Sequence, residues 1–328
     1  MSDFEQKPDS EQVTDASEAR QEELEKPLIE DVSADVAPVV QEFIAEASEA
    51  NQAAGVEAAA ESAFQASAGF AAAEFAGEKL APFIAFEDVN KSFGDFVVLK
   101  DVSFFVNPGE TMCILGRSGV GKSVSLQILM GFLKPDNGTV LVAGQDISGL
   151  SEKEMQEVRR KVTMVFQNGA LFDSITVGEN VAFPLRERGD MEEDQILQVV
   201  RGLLEMVGVA GMENMLPSDL STGMKRSVAI ARALAAQPSA ILYDEPTTMV
   251  DPLMAHLLGD LIQRLKMQMH LTSIVVTHDM RFAEKLADRL VFLHEGTVRF
   301  FGTTAEMRAS DDPVLKEFFS MDDLVVPV

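Results

Sequence analysis

From Phe83 onward, short apolar runs alternate with polar turns. IAFEDVNKSF and VVLKDVSFFV read as two strands separated by a loop at Gly94 and Asp95. TMCIL (111–115), SAILYDEP (239–246) and TSIVVTHD (272–279) are apolar runs of strand length, as expected for strands buried in a parallel sheet. VSLQILMGFL (124–133) has helical spacing. LSTGMKRSVAIARAL (220–234) reads as an amphipathic helix, with apolar Val228, Ile230, Ala231 and Leu234 and basic Lys225, Arg226 and Arg232.

Before residue 83 the pattern differs. Up to about residue 50 the chain is rich in Glu, Asp, Ser, Gln and Pro, a composition that does not repay the entropy of folding. From Val39 to Lys79 alanine dominates, and Phe64, Ala68, Ala71 and Phe75 fall at stripe spacing. The expectation for residues 1–82 is a disordered acidic extension with transient helix. Residues 83–310 form the folded domain, and 311–328 a tail.

Charge sharpens this division. Residues 1–82 hold 19 Asp/Glu against 4 Lys/Arg, and the remainder 34 against 23. A chain of net charge −26 is repelled by phosphate backbones, which argues against nucleic acid as a partner. The single cysteine, Cys113, excludes an intrachain disulfide and suits a reducing compartment. MSDFEQKPDS lacks the pattern of a signal peptide, and no run approaches the ~18 apolar residues of a membrane span. These features point to a cytoplasmic protein that would serve a membrane only from its surface.

The chemistry begins after TMCIL. GRSGVGKS is G-x-x-x-x-G-K-[ST], with Gly116, Gly121, Lys122 and Ser123 in the required strand–loop–helix context. Glycines let several backbone N–H groups converge on a phosphate. A lysine adds a point charge at the β- and γ-phosphates, and a serine hydroxyl can ligate Mg²⁺. Downstream, SAILYDEP ends in Asp244, suited to the Mg²⁺ shell, and Glu245, suited to face an attacking water. TSIVVTHD ends near His278, at the strand end where parallel sheets bind ligands. Ser221 opens its helix without the Glu or Gln of a capping box at 224. Its residues suit either an ordinary N-cap or an anion site.

Together these motifs resemble the nucleotide-binding subunit of ABC transporters over about residues 83–310. The resemblance implies an α/β P-loop ATPase with a mainly parallel core sheet, antiparallel strands and a helical subdomain at about 168–224. Phe93 matches the A-loop aromatic, GRSGVGKS the Walker A loop, Gln167 the Q-loop, LSTGM the signature, ILYDE Walker B, Asp251 the D-loop and His278 the H-loop. The implied catalytic residues are Glu245, His278 and Gln167. The implied nucleotide contacts are Phe93, Gly116, Arg117, Ser118, Gly119, Val120, Gly121, Lys122, Ser123, Val124, Ser221, Gly223 and Asp251. Ser123, Gln167 and Asp244 are the implied Mg²⁺ ligands, with ATP as the nucleotide.

The resemblance also implies a homodimer, in which the signature of one copy faces the γ-phosphate held by the other. An acidic cap at 224 would repel that phosphate. Thr222 and Met224 depart from the usual Gly and Gln. A positive φ at Thr222 would strain a β-branched residue by roughly 1–3 kcal/mol, and a negative φ would not.

FQNGALFDSITVGENVAFPLRERG, the methionine in the signature and DDPVLKEFF (311–319) resemble the ATPases of Mce-associated, Mla-type lipid transporters. That likeness implies a membrane permease, a lipid-binding Mce-domain partner and a place on the inner face of the membrane. The alternatives are the ATPase of a solute importer or a cell-division ABC ATPase, and, further off, a soluble ABC ATPase or a non-catalytic regulator.

Overall fold

The computed structural model describes residues 26–65 and 81–323. The two amino-proximal apolar runs form β1 (Ile84–Phe93) and β2 (Phe96–Val106), an antiparallel hairpin turning between Phe93 and Phe96. β3 (Thr111–Leu115) follows, then α1 (Lys122–Leu129), β4 (Asn137–Val142), β5 (Gln145–Asp146), α2 (Glu152–Lys161) and β6 (Val162–Val165). α3 (Val177–Arg188) and α4 (Glu193–Met206) make a helical lobe, and α5 (Thr222–Ala235) leads back to β7 (Ala240–Asp244). α6 (Pro252–Met269), β8 (Thr272–Val276), α7 (Met280–Leu286), β9 (Arg289–His294), β10 (Thr297–Gly302), α8 (Thr304–Ala309) and α9 (Pro313–Asp323) complete this part.

Two sheets result. One is antiparallel, in the order β2-β1-β4-β5; the other runs β10-β9-β3-β8-β7-β6 and is parallel except for β9–β10. Both faces of the larger sheet are buried along β3, β7 and β8, and the strand period of two shows in where side chains go. Met112 and Ile114 join the core between the sheets, with Phe86, Leu126 and Leu242. Cys113 and Leu115 point the other way, into a core shared with Tyr243, Ile230, Leu203 and Leu258. Burial pushes the Cys113 thiol and the Tyr243 phenol well above their ordinary pKa ranges, so both stay neutral. Among the described residues, no helix is long and apolar enough to cross a membrane.

The expected extension over 1–82 is corrected in part. Residues 28–31 form a 3₁₀ turn and residues Ala37–Gln65 a helix, here α0 because it lies before β1 in the chain. Leu28, Val32, Val36, Val40, Phe43 and Ala47 are at most 8% exposed and belong to the same core as α4, α5 and α6. Their spacing of four, four, four, three and four residues puts one apolar stripe on the molecule, which repays the ordering entropy that composition alone denies. The stripe expected from Phe64, Ala68, Ala71 and Phe75 lies outside the described side chains.

Candidate functional site

The central strand β3 ends at Leu115, and the chain turns at Gly116 (φ 149°), Gly119 (φ 82°) and Gly121 (φ 106°) before α1. Glycine is required at two of these by contact as well as conformation. An added Cβ at Gly116 would lie 2.5 Å from the Leu293 carbonyl oxygen, and one at Gly121 would lie 2.5 Å from Leu99 Cδ2. Lys122 folds back across the loop, its Nζ donating to the carbonyl oxygens of Gly116 (2.7 Å) and Arg117 (3.1 Å). The ammonium is buried, and that burial draws its pKa down against the opposing charge of Glu245, whose Oε1 is 3.6 Å away.

Parallel pairing brings the downstream carboxylates to this loop. Asp244 pairs with Val276 at the end of β7 and β8, and Ser123 Oγ donates to Asp244 Oδ1 at 2.9 Å. Burial raises the Asp244 carboxyl above its ordinary range, although the Ser123 hydrogen bond opposes the shift. Glu245 follows with φ 48°, a left-handed conformation that is uncommon for a residue with a side chain. Its N–H donates to the Val276 carbonyl at 2.9 Å, and Thr248 Oγ1 donates to Oε2 at 3.3 Å. His278 Nδ1 lies 2.7 Å from the same Oε2. The Glu245 side chain is 15% exposed and that of His278 is 61%, so the carboxylate is shielded and the imidazole stands open.

A cavity of about 740 Å³ gathers these groups. Arg117, Ser118, Gly119, Gly121, Lys122, Ser123, Val124, Gln167, Glu245 and His278, all expected from the sequence, line it. Gly116 forms the base of the loop, and Val120 packs toward the core between the sheets. Asp244 reaches the cavity through Ser123.

Four expected residues are not brought to this cavity. Phe93 is half exposed at the tip of the β1–β2 hairpin, with Lys91 Nζ 5.6 Å from its ring centroid. Ser221 is exposed and caps α5, its Oγ accepting the Met224 N–H at 3.3 Å. Asp251 caps α6 by accepting the Met254 N–H at 3.0 Å. Gly223 is buried against the Met254 side chain, which an added Cβ would meet at 3.1 Å. Thr222 is the first residue of α5 and is absent from the positive-φ positions, so the strain it could have carried does not arise.

Sequence reasoning missed Val98, Thr248 and Phe318, which also line the cavity. Thr248 carried a signal, since it lies three residues after Glu245 in a turn. Phe318 carried none, because α9 approaches from almost 200 residues away. In the sequence Arg226 is one of three basic residues on the 220–234 helix, with no further role. It is 4% exposed and donates to the carbonyls of Phe166 (3.0 Å) and Thr248 (3.4 Å), joining the Gln167 segment to the one after Glu245.

A glycine loop closed by a buried lysine, a Ser–Asp pair and a shielded carboxylate define a P-loop nucleoside triphosphatase. Residues 99–248 match the family model described as ABC transporter. The chain is 41% identical over 213 residues to the "Intermembrane phospholipid transport system ATP-binding protein MlaF" of Haemophilus influenzae, covering 65% of this chain and 81% of that protein. It is 37% identical over 219 residues to the "Probable ribonucleotide transport ATP-binding protein mkl" of Mycobacterium leprae, covering 67% of this chain and 63% of that one. A dimeric ATP-binding cassette solved in a post-hydrolysis state with ADP and Pi matches at TM-score 0.63 and 32% identity, over 67% of this chain and 98% of the other. The chain belongs to the ABC transporter family. It is an ATP-binding, ATP-hydrolysing subunit.

Proposed function

We propose that this subunit powers phospholipid or other lipid transport, working with a membrane permease and an Mce-type lipid-binding protein. The relationship to MlaF at 41% identity is the observation that carries this reading. Residues 168–190, NGALFDSITVGENVAFPLRERGD, support it from within the chain. The subunit works at the inner face of the membrane, docked on its permease.

In the mechanism we propose, two copies enclose two ATP molecules. The phosphate loop of one copy holds the triphosphate, and Ser221, Gly223 and Asp251 of the other complete the site from outside. That assignment accounts for their absence from the cavity of a single chain. Phe93 stacks on the adenine. Lys122, already poised 3.6 Å from Glu245, neutralises the β- and γ-phosphates. The Ser123–Asp244 pair, with Gln167 on the same cavity, has the oxygen donors that suit Mg²⁺. Bound there, the ion supplies charge neutralisation across the phosphates. Glu245 takes a proton from the water that attacks the γ-phosphorus as the bond to the ADP oxygen breaks. His278 holds that carboxylate in position at 2.7 Å and reaches toward the γ-phosphate.

A second reading, transport of a polar solute, draws on the 37% identity to the mycobacterial protein, whose name gives ribonucleotide transport. Purification of the complex from native membranes through a tag on this chain separates the two. A permease with an Mce-domain protein and bound phospholipid is the expected result. A permease with a solute-binding protein would discard the lipid reading and leave the ATPase site intact.

A further inference from the structure

Residues 26–53 make polar contacts as well as apolar ones, and these reach three separate elements. On α4, Glu205 accepts from the Ser33 N–H (2.6 Å) and hydroxyl (3.0 Å), and Arg201 pairs with Asp35 at 2.9 Å. At the turn after α5, Gln237 Nε2 donates to the Phe43 carbonyl at 3.1 Å. At the far end of α6, Arg264 donates to the Pro27 carbonyl (3.2 Å), the Leu28 N–H donates to Gln268 Oε1 (2.6 Å), and Asn51 Nδ2 donates to the Met269 carbonyl (2.8 Å). The last contact satisfies one of the carbonyls that a helix end leaves open.

The opposite ends of α5 and α6 carry Ser221, Gly223 and Asp251, and meet where Gly223 packs on Met254. The two helices are therefore joined at their amino ends by Gly223 and Met254, and at their carboxyl ends by residues 26–53. We infer that residues 26–53 are a positioning brace, which sets α5 relative to α6 and so aligns the residues that act on the nucleotide of the second copy. This inference rests on the composite-site reading above. None of these hydrogen bonds reaches the phosphate loop, so the brace acts on closure between copies and not on nucleotide capture by one.

The seat of the brace is testable at one atom pair. An added Cβ at Gly202, inside α4, would lie 2.0 Å from Val40 Cγ2 and 3.2 Å from Val40 Cβ. Valine is stiff at χ1, so Gly202→Ala must push the brace off α4. On a helix with no brace seated there, the same change would stabilise by removing an interior glycine. The sign of the stability change therefore reports the contact.

The experiment uses the full chain with Glu245→Gln, which holds ATP without turnover. With Gly202→Ala added, the melting midpoint falls, by about 2–4 °C for each kcal/mol lost. The ATP concentration for half-maximal dimerisation rises roughly fivefold or more, a coupling of ordinary size. Affinity of the single chain for a fluorescent ATP analogue stays unchanged. Val40→Ala, which removes the 2.0 Å clash and leaves the 3.2 Å contact to be relieved by a small shift, restores dimerisation when combined with Gly202→Ala. A midpoint that rises or holds would show that the brace is not seated and overturn the inference. A lower midpoint with unaltered dimerisation, or an equal loss of analogue binding, would also overturn it. Failure of Glu245→Gln to dimerise with ATP even with the brace intact would instead strike the composite-site reading, and the inference with it.

Discussion

Glu245 is held from three sides: its own N–H is bound to Val276, its Oε2 meets Thr248 and His278, and its Oε1 faces Lys122. A left-handed residue costs of order 1–3 kcal/mol and persists only where the surroundings impose it. Eight other described non-glycine residues share that conformation, so it is the shielding and these partners that single out Glu245 as the proposed base. Glu245→Gln keeps the shape and removes the proposed base, so the turnover rate should fall by about 10²–10⁴-fold while nucleotide still binds. Steady-state hydrolysis measured beside analogue binding checks both halves of that statement.

Asp244 offers a test in pH. Burial disfavours the charge and holds its carboxyl above the ordinary carboxylate range. The folded chain then holds this proton to higher pH than the unfolded chain, so the contribution of this group to stability falls as pH rises. Asp244→Asn removes that dependence and retains an oxygen for Ser123. Melting curves without nucleotide or Mg²⁺ should show the variant gaining on the wild type as pH rises through and above the ordinary carboxylate range. An advantage that shrinks over that range would contradict the burial argument.

At the scale of elements, the strands were the most legible feature. TMCIL became β3 residue for residue, and the runs before Asp244 and His278 became β7 and β8, because continuous burial on both faces leaves little alternative. The phosphate loop was equally legible, since its glycines answer to contacts a side chain would violate. Residues 26–53 were not, because acidic composition hid a stripe that needs α4, α5 and α6 to bury it. Phe318 was invisible for a related reason: only the fold brings α9 to the cavity, where Glu317 pairs with Arg117 at 2.7 Å and Phe318 stacks edge-on with Phe292 at 4.9 Å. Signature chemistry was legible only as a choice between two roles. The N-cap role is realised within the single chain; the role toward a phosphate belongs to the proposed dimer. Because Thr222 carries no positive φ, Thr222→Gly relieves nothing and should destabilise α5 by about 0.5–1 kcal/mol at most. Denaturant unfolding measures this directly, and a gain in stability would show that the threonine is strained after all.

At the scale of the whole molecule, the two halves of the proposed catalytic site lie apart on one chain. Lys122, Ser123, Glu245 and His278 share a cavity, whereas Ser221 and Gly223 stand outside it at the amino end of α5. Charge development at a γ-phosphate needs donors aimed at it beforehand, and a second copy brings the missing ones without deforming the first. This composite site is the claim on which the mechanism and the brace both depend. Subunit complementation in the purified transport complex tests it most directly. Complexes carrying only Lys122→Ala, or only Ser221→Arg, are expected to lack ATPase activity. Co-assembly of the two variants pairs an intact phosphate loop from one with an intact signature from the other, so hydrolysis should return well above either alone. If mixed complexes remain as inactive as their parents, the site is not shared between copies.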